Sequence, residues 1–385
     1  MVRVATLLCL LCGWCAAQAA PESGELERRL RLADQQRLQG RLAAAESTLA
    51  AVQGEIERTE GPGFLLAMAF KEHGLLRDDE GRPEQAIPLY EQALAMVRAQ
   101  PGATPVMVGL LLADIAGARA DAGDAAQALA VSTEAMNLLQ GAVERMSPSF
   151  AVALYAHGVA LHSLGRNVEA LRDLRESLDI RKHAAEPGYG QWALTSEAMA
   201  GCFSDLGYSS QAEASAREAL SLRMKFLEPD SLGIAASLNN LGVILARNRR
   251  LSEGRQALEQ SAAMLEKFGE REERRLAEVL QNLGGIYYMQ AANSPQLWAK
   301  AEEVYRRKLG IEERILGPSD VHIAATLEML GEVLFRERAY NEAGQTYRRG
   351  LAIQQAVFGF ADPHTQAAAK RYSALAKKMT ADAPR

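Results

Sequence analysis

The chain has 385 residues, 48 acidic against 43 basic side chains and a formal net charge of −5. That balance, with no polybasic tail, excludes the clustered basic face a nucleic acid demands, so no nucleic-acid partner is expected. Apolar residues make up 48%, too many for a disordered chain and enough to bury an extensive core.

The first element in chain order is Met1–Ala19. It has one charge at Arg3, an apolar run from Val4 to Ala17, and Ala17-Gln18-Ala19 as a small-x-small site. This is the layout of a secretory signal, and the run is shorter than the roughly 20 residues that span a bilayer. The expectation is removal of residues 1–19, export to a periplasm or beyond the cell, and no membrane span in the mature chain. Cys9, Cys12 and Cys15 fall inside that segment and leave Cys202 alone, so an intrachain disulfide is not available. Cys202 occupies a position held by Ile244, Ile286 and Val333 elsewhere, which reads as a buried small hydrophobe.

From residue 20 the pattern is helical and repetitive. Leu238, Leu241, Gly242 and Leu245 form one stripe, and Gly254, Leu258, Ala262 and Leu265 form a second after a short basic turn. The small residue of the second helix recurs as Ala45, Ala86, Ala128, Ala170, Ala212, Gly254, Ala301 and Ala343. That of the first helix recurs in step as Ala33, Gly74, Ala116, Gly158, Ala200, Gly242, Gly284 and Gly331. Two rows of small residues on one shared period mark contacts between helices. Hairpins of this kind bury both stripes only by stacking on copies of themselves. Residues 20–362 therefore read as about eight antiparallel helix pairs, and 363–385 as a capping helix and tail.

Proline-containing breaks such as Ser147-Pro148 and Gly317-Pro318-Ser319 separate the pairs. One interval is longer by five residues, and Asn293-Ser294-Pro295 within it reads as a turn. The 291–297 loop should project, with Trp298 packed back beneath it. The basic bursts at Arg247–Arg250, Arg271–Arg275 and Arg306–Lys308 read as solvated helix faces.

No segment carries the histidine–carboxylate spacing of a metal site, a phosphate-cradling glycine loop or a nucleophile elbow. Neither a catalytic residue nor a metal or other cofactor is expected, and the chain reads as non-enzymatic.

The pattern of Gly81-Arg82-Pro83-Glu84-Gln85-Ala86 with Tyr90, and Tyr340-Asn341-Glu342-Ala343 with Tyr347, resembles a tetratricopeptide repeat. The long unit and the connectors ILGPSDVH and VFGFADPH make it similar to the kinesin-light-chain type. The resemblance implies an all-α, right-handed solenoid whose first helices line a concave groove that takes an extended peptide. It places Tyr155, Val159, His162, Glu197, Asn239, Gln281, Tyr288 and Glu328 on that face. Asn240 and Asn282 are similar to asparagines that clamp a ligand backbone, since an amide both donates and accepts. The function implied is a scaffold or adaptor for a protein or peptide partner. Assembly through the convex face or the 291–297 loop is the alternative, and an enzyme with an unrecognised site is a further one.

Overall fold

The structure is a computed structural model that describes residues 21–59, 63–184, 188–227 and 229–382; the proposed signal at 1–19 lies outside them. Among these residues there is no strand, and no helix is long and apolar enough to cross a membrane. The helices divide between two compact units, residues 1–240 and 241–385.

In the first unit α1 (Pro21–Leu38) pairs with α2 (Leu42–Thr59), α3 (Phe64–Asp79) with α4 (Pro83–Ala99), and α5 (Pro105–Asp121) with α6 (Ala125–Ala142). Then α7 (Pro148–Ser163) pairs with α8 (Asn167–His183), and α9 (Tyr189–Asp205) with α10 (Ser209–Phe226). The division falls within α11 (Leu232–Arg247). The second unit continues with α12 (Leu251–Glu266), then pairs α13 (Glu273–Ala291) with α14 (Leu297–Leu316) and α15 (Ile323–Arg336) with α16 (Tyr340–Phe358). It ends on α17 (Pro363–Asp382), which packs on α16.

Local chemistry sets these boundaries. Thr104, Asp124 and Ser147 cap their helices by accepting from the backbone N–H of Met107, Gln127 and Phe150. Pro83, Pro105 and Pro148 occupy first turns, where the missing N–H costs nothing. The turn inside each early hairpin is closed by one left-handed residue. Gly81, at φ +71°, donates to Asp78 O, and Arg82 N–H reaches back to Arg77 O. Gly40, Gly123, Gly165 and Gly207 do the same, whereas Arg249 and Arg338 hold the position later at φ +63° and +65°. A side chain there carries a steric penalty of roughly 1–2 kcal/mol. Arg338→Gly should relieve it, less the added freedom of the unfolded chain, and raise stability by up to about 1 kcal/mol in thermal denaturation.

The small-residue rows are the helix contacts. Ala45, Ala86, Ala128, Ala170, Ala212, Ala301 and Ala343 are fully buried. At Gly242 an added Cβ would lie 2.7 Å from Leu258 Cγ and 3.0 Å from Gly254 O, both within the second unit. Cys202 is buried as expected, and burial pushes its thiol up to about 12.

The first unit has a closed interior. α3 buries thirteen of its sixteen residues, and α5 and α7 bury eleven each, against five for α2. These first helices are covered on nearly every side, and most of what they bury is apolar, although α3 also buries Lys71, Glu72, His73, Asp78 and Asp79. The α1–α2 turn also comes against the α10–α11 connector, enclosing a small cavity among Arg37, Leu38, Asp79, Leu227, Leu232 and Gly233. Charges lie sealed within: Arg37 pairs with Asp34 and, at 2.6 Å, with Asp79. Lys71 Nζ sits 3.4 Å from Glu72, and Asp114 is buried nearby. Burial raises the Glu72 carboxyl to about 7, against the pull of Lys71.

A carboxyl whose folded pKa is raised contributes stability that is full below the ordinary value and lost as pH rises through the folded one. Glu72 thus favours the fold below about pH 4.5 and ceases to do so above about 7. His73, lowered by burial, works in the opposite sense, so the readout is a difference between variants. Wild type is expected to lose on the order of 1–3 kcal/mol more than Glu72→Gln between pH 5 and pH 8, read from urea midpoints.

The basic run at Arg306–Lys308 is not wholly solvated. Lys308 is buried, donating to Glu312 at 2.7 Å and to Thr326, because its stem crosses from α14 onto α15.

Candidate interaction face

Each residue expected on the first-helix face has a definite place. In the first unit, Tyr155 on α7 is buried, with the Arg181 guanidinium from α8 5.1 Å from its ring centre. Val159 is half-buried one turn on. His162 ends α7 with Nδ1 2.7 Å from Asn167 Oδ1, and its ring lies against Gly201 of α9. Glu197 on α9 is nearly buried and held by both arms of Arg223, at 2.8 and 2.7 Å, and by the Ser237 hydroxyl at 2.6 Å. Asn239 is half-buried and Asn240 exposed on α11. Tyr155, His162 and Glu197 are thus already engaged within the chain.

The second unit presents a different surface. Gln281 and Asn282 lie half-buried on α13. One and a half turns on, Tyr288 donates to Glu332 of α15 at 3.2 Å, with Arg336 3.4 Å from its hydroxyl. Trp298 meets the Tyr288 ring edge-on at 5.1 Å, so the tryptophan does pack back under the 291–297 loop. Burial and the Glu332 charge raise the Tyr288 phenol, so it donates at any physiological pH. Glu332 also accepts from Tyr347 of α16 at 3.1 Å and from Arg336 at 2.8 Å. Glu328, one turn before, accepts from Arg371 of α17 at 2.9 Å.

α13, α15 and α17 are therefore linked by a phenol, carboxylates and guanidiniums that bridge from one helix to the next. A cavity of about 330 Å³ remains between α15, α16 and α17, walled by Glu328, Met329, Leu351, Tyr372 and Leu375. Such a surface offers donors, acceptors and an apolar recess side by side. Among the described residues no group of three or more His, Cys, Asp or Glu is placed to hold a metal ion.

Glu332, Arg336, Arg371 and Tyr372 were outside the residues expected from the sequence. Glu332 was within reach, standing one position after Gly331 on the inward-facing row, whereas α17 carries no repeat signal to place Arg371. Arg223 was hidden for another reason: its partners come from α9 and α11, and pairing across helices leaves no local trace.

Residues 151–188 and 234–267 match a family model described as "Tetratricopeptide repeat". Among curated proteins none matches this chain in sequence. Several solved structures are similar to it in fold. The apo form of the quorum sensor NprR from B. thuringiensis has a TM-score of 0.55 at 15% identity, covering 89% of this chain and 91% of that one. NprR in complex with its cognate peptide NprX gives 0.57 at 16%, covering 84% and 88%. A Rap protein complexed with Competence and Sporulation Factor gives 0.53 at 16%, covering 93% and 99%. At such identities the likeness is one of fold.

The chain carries tetratricopeptide repeats within an all-α solenoid fold.

Proposed function

We propose that this protein is a non-enzymatic scaffold that binds a peptide segment of a partner protein on the face formed by its first helices. The observation that carries the reading is the recess between α15, α16 and α17, where Tyr347, Tyr372, Glu328 and Arg371 stand beside Met329 and Leu351. Lys and Glu alone would suffice for solubility; donors, acceptors and rings together fit an extended backbone and its side chains. NprR forms a complex with its cognate peptide NprX and a Rap protein with Competence and Sporulation Factor, which supports the same use here. The layout of residues 1–19 supports export, with the scaffold acting in a periplasm or outside the cell.

The test is affinity capture with tagged protein starting at Ala20, identified by mass spectrometry, beside Asn239→Ala/Asn282→Ala. A partner lost in the variant is the expected result. A partner kept equally by both would move the working surface to the convex face or the 291–297 loop.

A further inference from the structure

Arg181 is an unusual residue to find inside a helical repeat. It is buried, and among the described residues no carboxylate faces it; burial pushes its guanidinium down to about 10, still charged at neutral pH. Its Nη1 donates to the backbone oxygen of Gln191 and, at 2.9 Å, to the Thr195 hydroxyl. Its Nε and Nη2 have no hydrogen-bond partner. From α7 the Tyr155 ring lies 5.1 Å from its guanidinium, and the neighbouring cation Lys182 lies over Trp192.

The next repeat shows what is missing. Arg223 holds the same place in α10 and makes the same two contacts, to Gly233 O at 2.7 Å and the Ser237 hydroxyl at 2.9 Å. Its Nη2 is filled, because Glu197 closes a two-pronged pair on Nη1 and Nη2. In the preceding repeat the position of Glu197 is held by Tyr155. The chain thus contains one site in two states, with an internal carboxylate on Arg223 and with none on Arg181. A guanidinium fork fits a carboxylate in this two-pronged way, and an unfilled buried donor is costly.

We propose that Arg181 is an anion site that receives a carboxylate from outside the chain, placed as Glu197 is placed on Arg223, with the Tyr155 ring as its cover. Tyr155 is itself buried, so a carboxylate reaches the fork only when the ring swings aside. An acidic side chain of a bound segment and a small free carboxylate share this chemistry. Assigning the first of these as the source rests on the peptide-binding reading above; the site itself does not.

The experiment follows the thermal midpoint and the arginine Nε–H signals of the full chain while acetate replaces chloride at constant ionic strength. A second arm uses acetylated triglutamate amide. Wild type is expected to show a midpoint that climbs with carboxylate concentration and one shifted arginine signal. Arg181→Met and Tyr155→Glu should both stay flat, the first lacking the fork and the second supplying its own carboxylate. A response to acetate alone assigns the site to a small free carboxylate, and a response to both assigns it to an acidic segment. A flat wild type, or an equal climb in Arg181→Met, overturns the proposal. Because acetate reports on the fork and affinity capture on Asn239 and Asn282, either idea can fail without the other.

Discussion

Glu197→Ala should be among the most damaging single changes in the chain, costing about 3–5 kcal/mol. The carboxylate is the counter-charge of Arg223, whose side chain is 2% exposed, and it also accepts from Ser237. Its removal strands a buried guanidinium with only neutral acceptors at Gly233 and Ser237. Glu197→Leu/Arg223→Met should lose clearly less than Glu197→Ala, since no unpaired charge is left behind. Urea denaturation of the three proteins, followed by circular dichroism, measures this directly. A loss within 1 kcal/mol for Glu197→Ala would mean that Arg223 finds another anion. The result also bears on function: a Glu197 variant that fails to bind a partner would report unfolding before it reported a lost contact.

Gly242→Leu is expected to cost about 1–3 kcal/mol, at the upper end of that range. Leu258 can turn aside from a new Cβ, but Gly254 O at 3.0 Å belongs to the backbone of α12 and moves only if the helix does. An added Cβ at Gly254 would in turn meet Gly242 O at 2.8 Å, so the two glycines form one close crossing. Gly242→Ala should fall between wild type and leucine. Unchanged thermal midpoints for both variants would remove this crossing from the account of the fold.

Much of the architecture was legible because close packing leaves a mark at fixed intervals. Gly242, Gly284 and Gly331 face Leu258, Tyr305 and Tyr347, and only small residues admit those neighbours. The sealed interior of the first unit was legible in principle. The stretches FLLAMAF and PVMVGLLLADIAG lack the polar stripe that a groove-lining helix keeps. Arg249 and Arg338 could not be recognised as left-handed turn residues, since nothing in an arginine announces a positive φ. The helix positions of Tyr288 and Glu328 follow from repeat spacing, while the Arg181 and Arg223 forks depend on which helices meet in space.

The meeting of the α1–α2 turn with the α10–α11 connector has a consequence for how the first unit assembles. A linear repeat array touches only its nearest neighbours, so it nucleates anywhere, frays from its ends and survives trimming. Here the opening hairpin shares the lining of one small cavity with residues from the far end of the unit in sequence, Leu227, Leu232 and Gly233. Those contacts reward the chain only after every intervening hairpin is in place, which slows folding and makes it cooperative. Deleting α1 and α2 would uncover Asp79 together with the apolar flanks of α3, so the loss would spread through the unit instead of shortening it by one step. Amide exchange in α3, α5 and α7 would then proceed through a single, unit-wide opening.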